Sequence, residues 1–481
     1  MELPVVIIGA GFGGICAAVR LRERGIPFVV LERGDAVGGV WRENTYPGAA
    51  CDVPSHLYSL SFAPKADWSR KYAGQREIRG YLESVARDFG VLEHVRLSTE
   101  VAGATFDAPA GCWTVRTTAG DQLRARAIIA ATGQLSRPAI PRLPGAERFA
   151  GPAFHSAAWD HGVDLRGRRV AVVGTGASAI QLVPAIAGLA ERVTVFQRSA
   201  PYVIPKADRA YGALERRLLR RFPALLRASR ALTYAQFEQR GIVFVTAPWL
   251  GWVVKRSWRR HMERHITDPE LRRRLTPDYA VGCKRILLSN DWYPAVARDD
   301  VDVITEPIAT VEPDAIVTAD GTRHPADVLV HGTGFHATEL LAPMDIRGAG
   351  GQALADVWHA GAEAYLGVTV AGFPNLFVLY GPNTNLGHNS IIYMIESQVA
   401  YVLEALRHLE LSGQRWVDVR PERQAAFVSE VEQRSHRTVW ERGCTSWYTT
   451  ADGRNTNNWP GYTFSYRRRT SRFDATDYAI G

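Results

Sequence analysis

Two residues of opposite charge stand at matching places behind two glycine-rich turns. Glu32 ends the apolar run Phe28-Val29-Val30-Leu31, some two dozen residues after the start of Gly9-Ala10-Gly11-Phe12-Gly13-Gly14. Arg198 follows Arg192-Val193-Thr194-Val195-Phe196, at the same remove from Gly174-Thr175-Gly176-Ala177-Ser178-Ala179. A carboxylate at such a position accepts hydrogen bonds from ribose hydroxyls and would repel a phosphate. A guanidinium pairs with that phosphate bidentately instead. The two charges therefore point to two dinucleotides, one with a free ribose diol and one 2′-phosphorylated, which we read as FAD at the first turn and NADPH at the second. Gly38-Gly39, just past Glu32, offers backbone without side chains where a flavin nucleotide would approach.

The flanking sequence supplies the elements that must hold these turns. Pro4-Val5-Val6-Ile7-Ile8 reads as a strand running into the first turn, and Ile15 to Leu21 as the helix leaving it; Val170-Ala171-Val172-Val173 plays the strand's part for the second, where Ala179 takes the third small-residue position. The fold class expected is α/β, with two Rossmann-like dinucleotide-binding domains, for FAD and NADP, and a helical insertion in the NADP domain. Strand-to-turn segments recur at Ala127-Ile128-Ile129-Ala130-Ala131-Thr132-Gly133 and at Asp327 to Phe335. Pro138, Pro141 and Pro144 stiffen the connection after the first, and Leu376 to Pro382 followed by a helix from Ile391 to Leu406 suggests a return to the first domain. The expected division is residues 1–140 for the first part of the FAD domain and 141–207 for the first part of the NADP domain. A basic helical insertion occupies 208–280, the NADP domain resumes over 281–335, and the FAD domain with a C-terminal active-site loop takes 336–481.

Composition narrows the function classes. A chain of 481 residues with 46% hydrophobic content can bury more than one core. Five cysteines, Cys16, Cys51, Cys112, Cys283 and Cys444, include no Cys-x-x-Cys pair. That argues for a reducing, cytoplasmic setting and against a disulfide scaffold, a metal site or the redox dithiol that a disulfide reductase would need. The N-terminus leads straight into a strand, leaving no room for a cleaved signal, and no apolar stretch approaches the ~20 residues of a membrane span. The net charge of +8 is local: Arg209 to Arg285 holds 18 lysines and arginines against 6 acidic residues. One reading is a helical subdomain with solvated arginines and inward aromatics. A sharper one is a basic, tryptophan-bearing surface making peripheral contact with anionic membrane. No nucleic-acid-binding module is legible.

Between the turns, Phe149-Ala150-Gly151-Pro152-Ala153-Phe154-His155-Ser156-Ala157-Ala158-Trp159-Asp160 resembles the signature of type I Baeyer-Villiger monooxygenases. Gly38-Gly39-Val40-Trp41-Arg42-Glu43-Asn44-Thr45-Tyr46-Pro47-Gly48-Ala49-Ala50-Cys51-Asp52 resembles a second motif of that family, and the likeness runs from Gly9 to the region of Trp447 and Trp459. The resemblance implies that NADPH reduces FAD, that O2 adds at the flavin C4a carbon, and that the resulting peroxide attacks a ketone or other lipophilic substrate to give an ester or lactone. It implies that Arg285 lies over the flavin, that Asp52 orients it, and that His155 couples the domains. Arg33, Gly39, Trp41, Tyr58, Val101 and Gly133 would join Gly9, Gly11, Gly14 and Glu32 around FAD. Gly174, Gly176, Ser178, Ala179, Arg198, Ser199, Lys284 and Trp447 would surround NADP.

The sequence departs from better-known members at Asp452-Gly453-Arg454-Asn455-Thr456-Asn457-Asn458-Trp459-Pro460-Gly461, a loop that in the family helps line the active site, and at His331, where alanine is usual. The departure shades toward long-chain alkane or ketone oxygenases. Two other function classes stay open: an N- or S-oxygenating or hydroxylating flavin monooxygenase, which would share both nucleotide sites, and a lipid-surface binding protein with a vestigial flavin site.

Overall fold

The computed structural model describes residues 3–441, 446–450 and 452–481. Strands β1 (Val5–Ile8), β2 (Phe28–Leu31), β3 (Val95–Arg96) and β4 (Ala127–Ala130) enter one sheet. A second sheet takes β5 (Ala153–His155), β6 (Arg169–Val173), β7 (Arg192–Phe196), β8 (Val301–Ile304) and β9 (Val328–His331), after which β10 (Leu376–Val378) rejoins the first. Their spatial orders are β10-β4-β1-β2-β3 and β8-β7-β6-β9-β5, with every pairing parallel. Parallel sheets covered on both faces need continuous apolar strands, and β1, β4 and β9 are buried at every residue.

Helix α1 (Phe12–Glu23) leaves the first glycine turn and α2 (Ala179–Ile186) the second. Neither has a side-chain N-cap hydrogen bond or an acidic residue in its first turn, so the leading N–H groups remain available for an anion. The glycines are required sterically. A Cβ on Gly14 would sit 1.8 Å from the carbonyl oxygen of Gly9, and Gly9 itself has φ +100°, so helix and strand meet at a distance that no side chain permits.

The basic insertion is bracketed by a short parallel ladder that pairs Val203 with Leu287 and Ile204 with Leu288. Between its strands run α3 (Ala213–Arg221), α4 (Pro223–Gly241), α5 (Gly251–His265) and α6 (Pro269–Arg274), with a π-helical turn at Ile242–Thr246 and a 3-10 turn at Pro248–Leu250 joining α4 to α5. The insertion does not hang free. Glu238 on α4 is buried and accepts hydrogen bonds from Asn389 and from both the backbone and hydroxyl of Thr463, at the start of α8 (Thr463–Arg469). The expectation that its aromatics face inward holds for Phe237, Phe244 and Trp258 but is corrected for Trp249 and Trp252, which are exposed. The long helix α7 (Ile391–Ser412) ends at Gly413, whose left-handed φ of +70° caps it, and its buried face packs against α1. No helix among the described residues is long and apolar enough to cross a membrane.

Gly14→Ala should therefore cost about 1–3 kcal/mol through overpacking and loosen the first turn. Thermal unfolding would show the loss; an unchanged midpoint would mean the helix can retreat from β1 without penalty.

Candidate active site

Both glycine turns open into a single cavity of about 1490 Å³, larger than the ~300–1,000 Å³ of ordinary small-molecule pockets. Its wall carries Gly9, Gly11, Glu32, Arg33, Gly39, Trp41, Asp52, Tyr58, Val101 and Gly133 on one side, and Gly174, Gly176, Ser178, Arg198, Ser199, Lys284, Arg285 and Trp447 on the other. Three expected residues are not in the wall. Gly14 and Ala179 stand behind it as close-packing positions: Gly14 abuts Gly9, and the Ala179 Cβ lies 3.3 Å from where a Cβ on Gly332 would be. His155 is buried on β5, paired in register with His331 on β9, its ring edge-on to Phe335. Burial, with His331 alongside, pushes its imidazole down to about 4. Neutral near pH 7, it accepts a hydrogen bond from the Ala157 N–H through Nδ1, and its ring neighbour Phe335 and the adjacent Gly334 line the cavity in its place.

Around the first turn the geometry suits a nucleotide with a diol. The two oxygens of Glu32 accept hydrogen bonds from the N–H groups of Ala10 and Gly34, both at 2.7 Å, which fixes the carboxylate at the cavity edge. A Cβ on Gly39 would lie 2.9 Å from the Gly11 Cα, so the two glycines form a groove that side chains would fill. The Trp41 indole donates to the Tyr58 hydroxyl at 3.1 Å, and Arg33 pairs with Glu43.

Around the second turn the charge is left positive. The ladder that brackets the insertion brings residues 198–199 beside 284–285, so Lys284 Nζ donates to Ser199 Oγ at 3.0 Å. Burial and the adjacent Arg198 lower the Lys284 ammonium's pKa, and Arg198 is exposed without an ion pair among the described residues. Two neighbouring cations without a paired acid are matched by a dianionic 2′-phosphate. Cys283, just before them, is disulfide-bonded, while Cys16, Cys51 and Cys112 are buried free thiols, and Cys444 lies outside the described residues.

Asp52 and Arg285 meet where the two halves of the cavity join. Arg285 donates to Asp52 Oδ2 through Nη2 at 2.6 Å and through Nε at 3.1 Å. Burial alone would raise the Asp52 carboxyl, but the charge and hydrogen bonds of Arg285 outweigh it and hold the carboxyl below the ordinary range. Asp52's charge in turn raises the guanidinium further above its usual value. Tyr380 and Tyr448 lie close enough to couple electrostatically to Arg285, and burial pushes the Tyr448 phenol up to about 12.

Several residues at this centre have no motif to announce them. Gln181 on α2 accepts from the Tyr46 hydroxyl at 2.9 Å and the Ala50 N–H at 3.2 Å, and donates to the Ala50 carbonyl at 3.0 Å. Gly48, between them, comes so near that a Cβ would be 2.5 Å from the Gln181 carbonyl oxygen. The second nucleotide's helix thus grips the loop that carries Asp52. Tyr380, in the wall, donates to Asn385 at 2.6 Å, and Asn385 donates to Asn458 at 2.8 Å. The divergent loop at 452–461 therefore stands one layer behind the cavity, supporting Asn385 rather than forming the wall as the resemblance implied. Its only sequence signal is the asparagine run.

Two linked dinucleotide sites with a paired guanidinium at their junction define a flavin- and nicotinamide-type oxidoreductase. Residues 6–239 match the pyridine nucleotide-disulphide oxidoreductase family. The chain is 48% identical to a Baeyer-Villiger monooxygenase of Streptomyces coelicolor over 100% of its own length and 93% of the relative's, and 45% identical to a Baeyer-Villiger monooxygenase of Pseudomonas aeruginosa over 99% and 91%. Its structure superposes with a TM-score of 0.89 on an oxidized steroid monooxygenase bound to NADP, at 34% identity, covering 100% of this chain and 99% of that one. The chain belongs to the Baeyer-Villiger monooxygenase family.

The depressed carboxyl of Asp52 sets a pH dependence. A group whose pKa falls on folding stabilises the fold above its unfolded value, about 3.9 for Asp, and loses that contribution as pH falls through the folded value. Asp52→Asn should be less stable than the parent at about pH 7, with the gap narrowing below about pH 4. A gap that stays constant over that range, followed by thermal unfolding, would show that the ion pair does not contribute.

Proposed function

We propose that this chain is an NADPH- and FAD-dependent Baeyer-Villiger monooxygenase that converts a ketone, O2, NADPH and a proton into an ester or lactone, NADP+ and water. The observation that carries the reading is Arg285, bonded to Asp52 and facing a cavity that both glycine turns share. When bound, FAD would accept hydride from NADPH and supply the O2 chemistry. The residues of the chain do the rest. Gly9, Gly11 and the start of α1 receive a pyrophosphate, and Glu32 takes the ribose diol. Arg198, Ser199 and Lys284 would hold the 2′-phosphate, and Trp447, with its ring 4.4 Å from that of Tyr448, would lie toward the nicotinamide end. Arg285 places a permanent planar cation where negative charge develops on oxygen as the ketone carbonyl is attacked, and Asp52 keeps the fork in position. His155 has a positioning role through Phe335.

The lining also includes the apolar Leu386, Ile391 and Ile395, which supports a lipophilic ketone as substrate. Phe244, Val439, Trp440 and Tyr448 form a packed apolar cluster beside Trp447, bordering the charged centre. Sheet membership supports the divisions at residues 140 and 335, and the ladder of Val203–Ile204 with Leu287–Leu288 supports an insertion between 208 and 280. A cytoplasmic location fits its need for intracellular NADPH.

Coenzyme choice should follow the two free cations. Arg198→Ala should raise the KM for NADPH roughly 10- to 100-fold, as loss of a charge-assisted contact of ~1.5–3 kcal/mol does, and leave NADH little changed; equal use of both coenzymes by the parent would contradict the assignment. Arg285→Ala should keep FAD bound, lower ester formation by about 100-fold or more and release hydrogen peroxide in place of product. Mass spectrometry of products from linear, cyclic, aromatic and steroidal ketones, with a thioether alongside, measures this and separates carbonyl insertion from sulfur oxygenation. Near-parent ketone conversion by Arg285→Ala would overturn the mechanism.

A further inference from the structure

Exposed apolar side chains are concentrated in one part of this molecule. Of the sixteen large hydrophobic residues that the described structure leaves exposed, nine fall between Leu214 and Val253, within an insertion that makes up about one seventh of the chain. Four of them, Ile242, Trp249, Trp252 and Val253, lie at the junction from α4 to α5, where the chain passes through its π-helical and 3-10 turns. Trp249 is 70% and Trp252 55% exposed, a large cost in apolar hydration for a surface that does nothing.

The helix that continues from this tip is built asymmetrically. Its inner face buries Trp258, His261 and Met262. On the outer face, spacings of three and four residues carry Trp252 on to Lys255, Arg256 and Arg259, and Val253 on to Arg256, Arg260 and Arg264. All five cations are exposed and none forms an ion pair among the described residues, with Glu263 the single acid on the helix, whereas Arg209 pairs with Glu215 and Arg273 with Glu270 elsewhere in the insertion. Tryptophans at a tip followed by unpaired cations along one helix face match a layer that is apolar beneath and anionic at its surface. A flat, charge-only partner would have no use for Trp249 and Trp252. The inner side of the same tip is Phe244, which packs on Val439, Trp440 and Tyr448 beside the cavity residue Trp447.

We propose that the outer face from Ile242 to Arg264 is a shallow-insertion surface for anionic lipid membranes, placed to admit lipophilic substrate beside Trp447. The membrane contact rests on the surface alone. Only its use for substrate entry rests on the monooxygenase reading.

Flotation of the FAD-loaded protein with vesicles of phosphatidylglycerol or of phosphatidylcholine tests the surface without reference to activity. Binding to the phosphatidylglycerol vesicles at low salt, weakening as salt rises, is expected, with little binding to phosphatidylcholine. W249E/W252E should lose binding by ten-fold or more, and neutralising Lys255, Arg256, Arg259 and Arg260 to glutamine should lose roughly five-fold per cation, while both variants retain parent turnover of a water-soluble ketone. Quenching of tryptophan fluorescence by lipids brominated on the acyl chain should appear in the parent and fall in W249F/W252F. Three results would overturn the proposal: no vesicle binding by the parent at low salt, tighter binding of the same face to an oligonucleotide, or a parent dimer that W249E/W252E converts to monomer. A protein that binds vesicles but turns over no ketone would leave the membrane surface standing and remove the monooxygenase reading.

Discussion

The Asp52–Arg285 ion pair is the constraint around which the rest of the molecule is arranged. Its two members are 233 residues apart, one carried by the loop beyond the first glycine turn and the other by the segment just before the strand Leu287–Leu288 that closes the insertion. A guanidinium aimed at a reacting oxygen has to be charged, held and shielded together. Asp52 holds it, Tyr380 and Tyr448 shield it, and the Gln181 clamp keeps the loop of one nucleotide site seated on the helix of the other. Removing the clamp would leave the charges in place and blur their geometry, which is why an uncharged glutamine belongs among the residues that matter here.

Charge is distributed with the same economy. The carboxylate at the first nucleotide site is tied down by two backbone N–H groups, so it presents acceptor lone pairs in a fixed direction. The cations at the second form no ion pair among the described residues, so that they keep an unmet demand for phosphate. The insertion between Val203 and Leu287 is no appendage, since the two-strand ladder at its base sets Lys284 beside Ser199. Its interior end closes the aromatic cluster by Trp447, and its buried Glu238 ties it to the C-terminal segment, so the insertion is part of the wall and roof of the site.

Much of this was legible in the chain. The glycine turns, Glu32 and Arg198 are local devices: each works through backbone and one side chain at a short, fixed offset along strand, turn and helix, so the sequence carries the whole instruction. The α/β class follows for the same reason, since continuous apolar strands such as Val5–Ile8 can only belong to a covered parallel sheet. The partnership of Asp52 with Arg285 was legible only through family resemblance, because no offset relates them.

What the tertiary structure alone decided are the relations that no sequence spacing encodes. His155 stands in a motif that resembles the family's signature yet packs against His331 and Phe335 one layer from the cavity, because β5 pairs at the edge of its sheet. Gln181, Tyr380 and the Asn385–Asn458 contact owe their places to the meeting of distant segments, and a lone glutamine or asparagine on a helix or loop carries no mark of it. Trp249 and Trp252 read in sequence like the buried Trp258 only a few residues on; which tryptophan faces the core and which faces outward depends on how the π-helical and 3-10 turns rotate the chain into α5. The sequence determined the two nucleotide cradles and their charges, because those act within one turn of chain; the fold determined which of the remaining polar and aromatic residues would reach them, because that depends on packing between segments hundreds of residues apart.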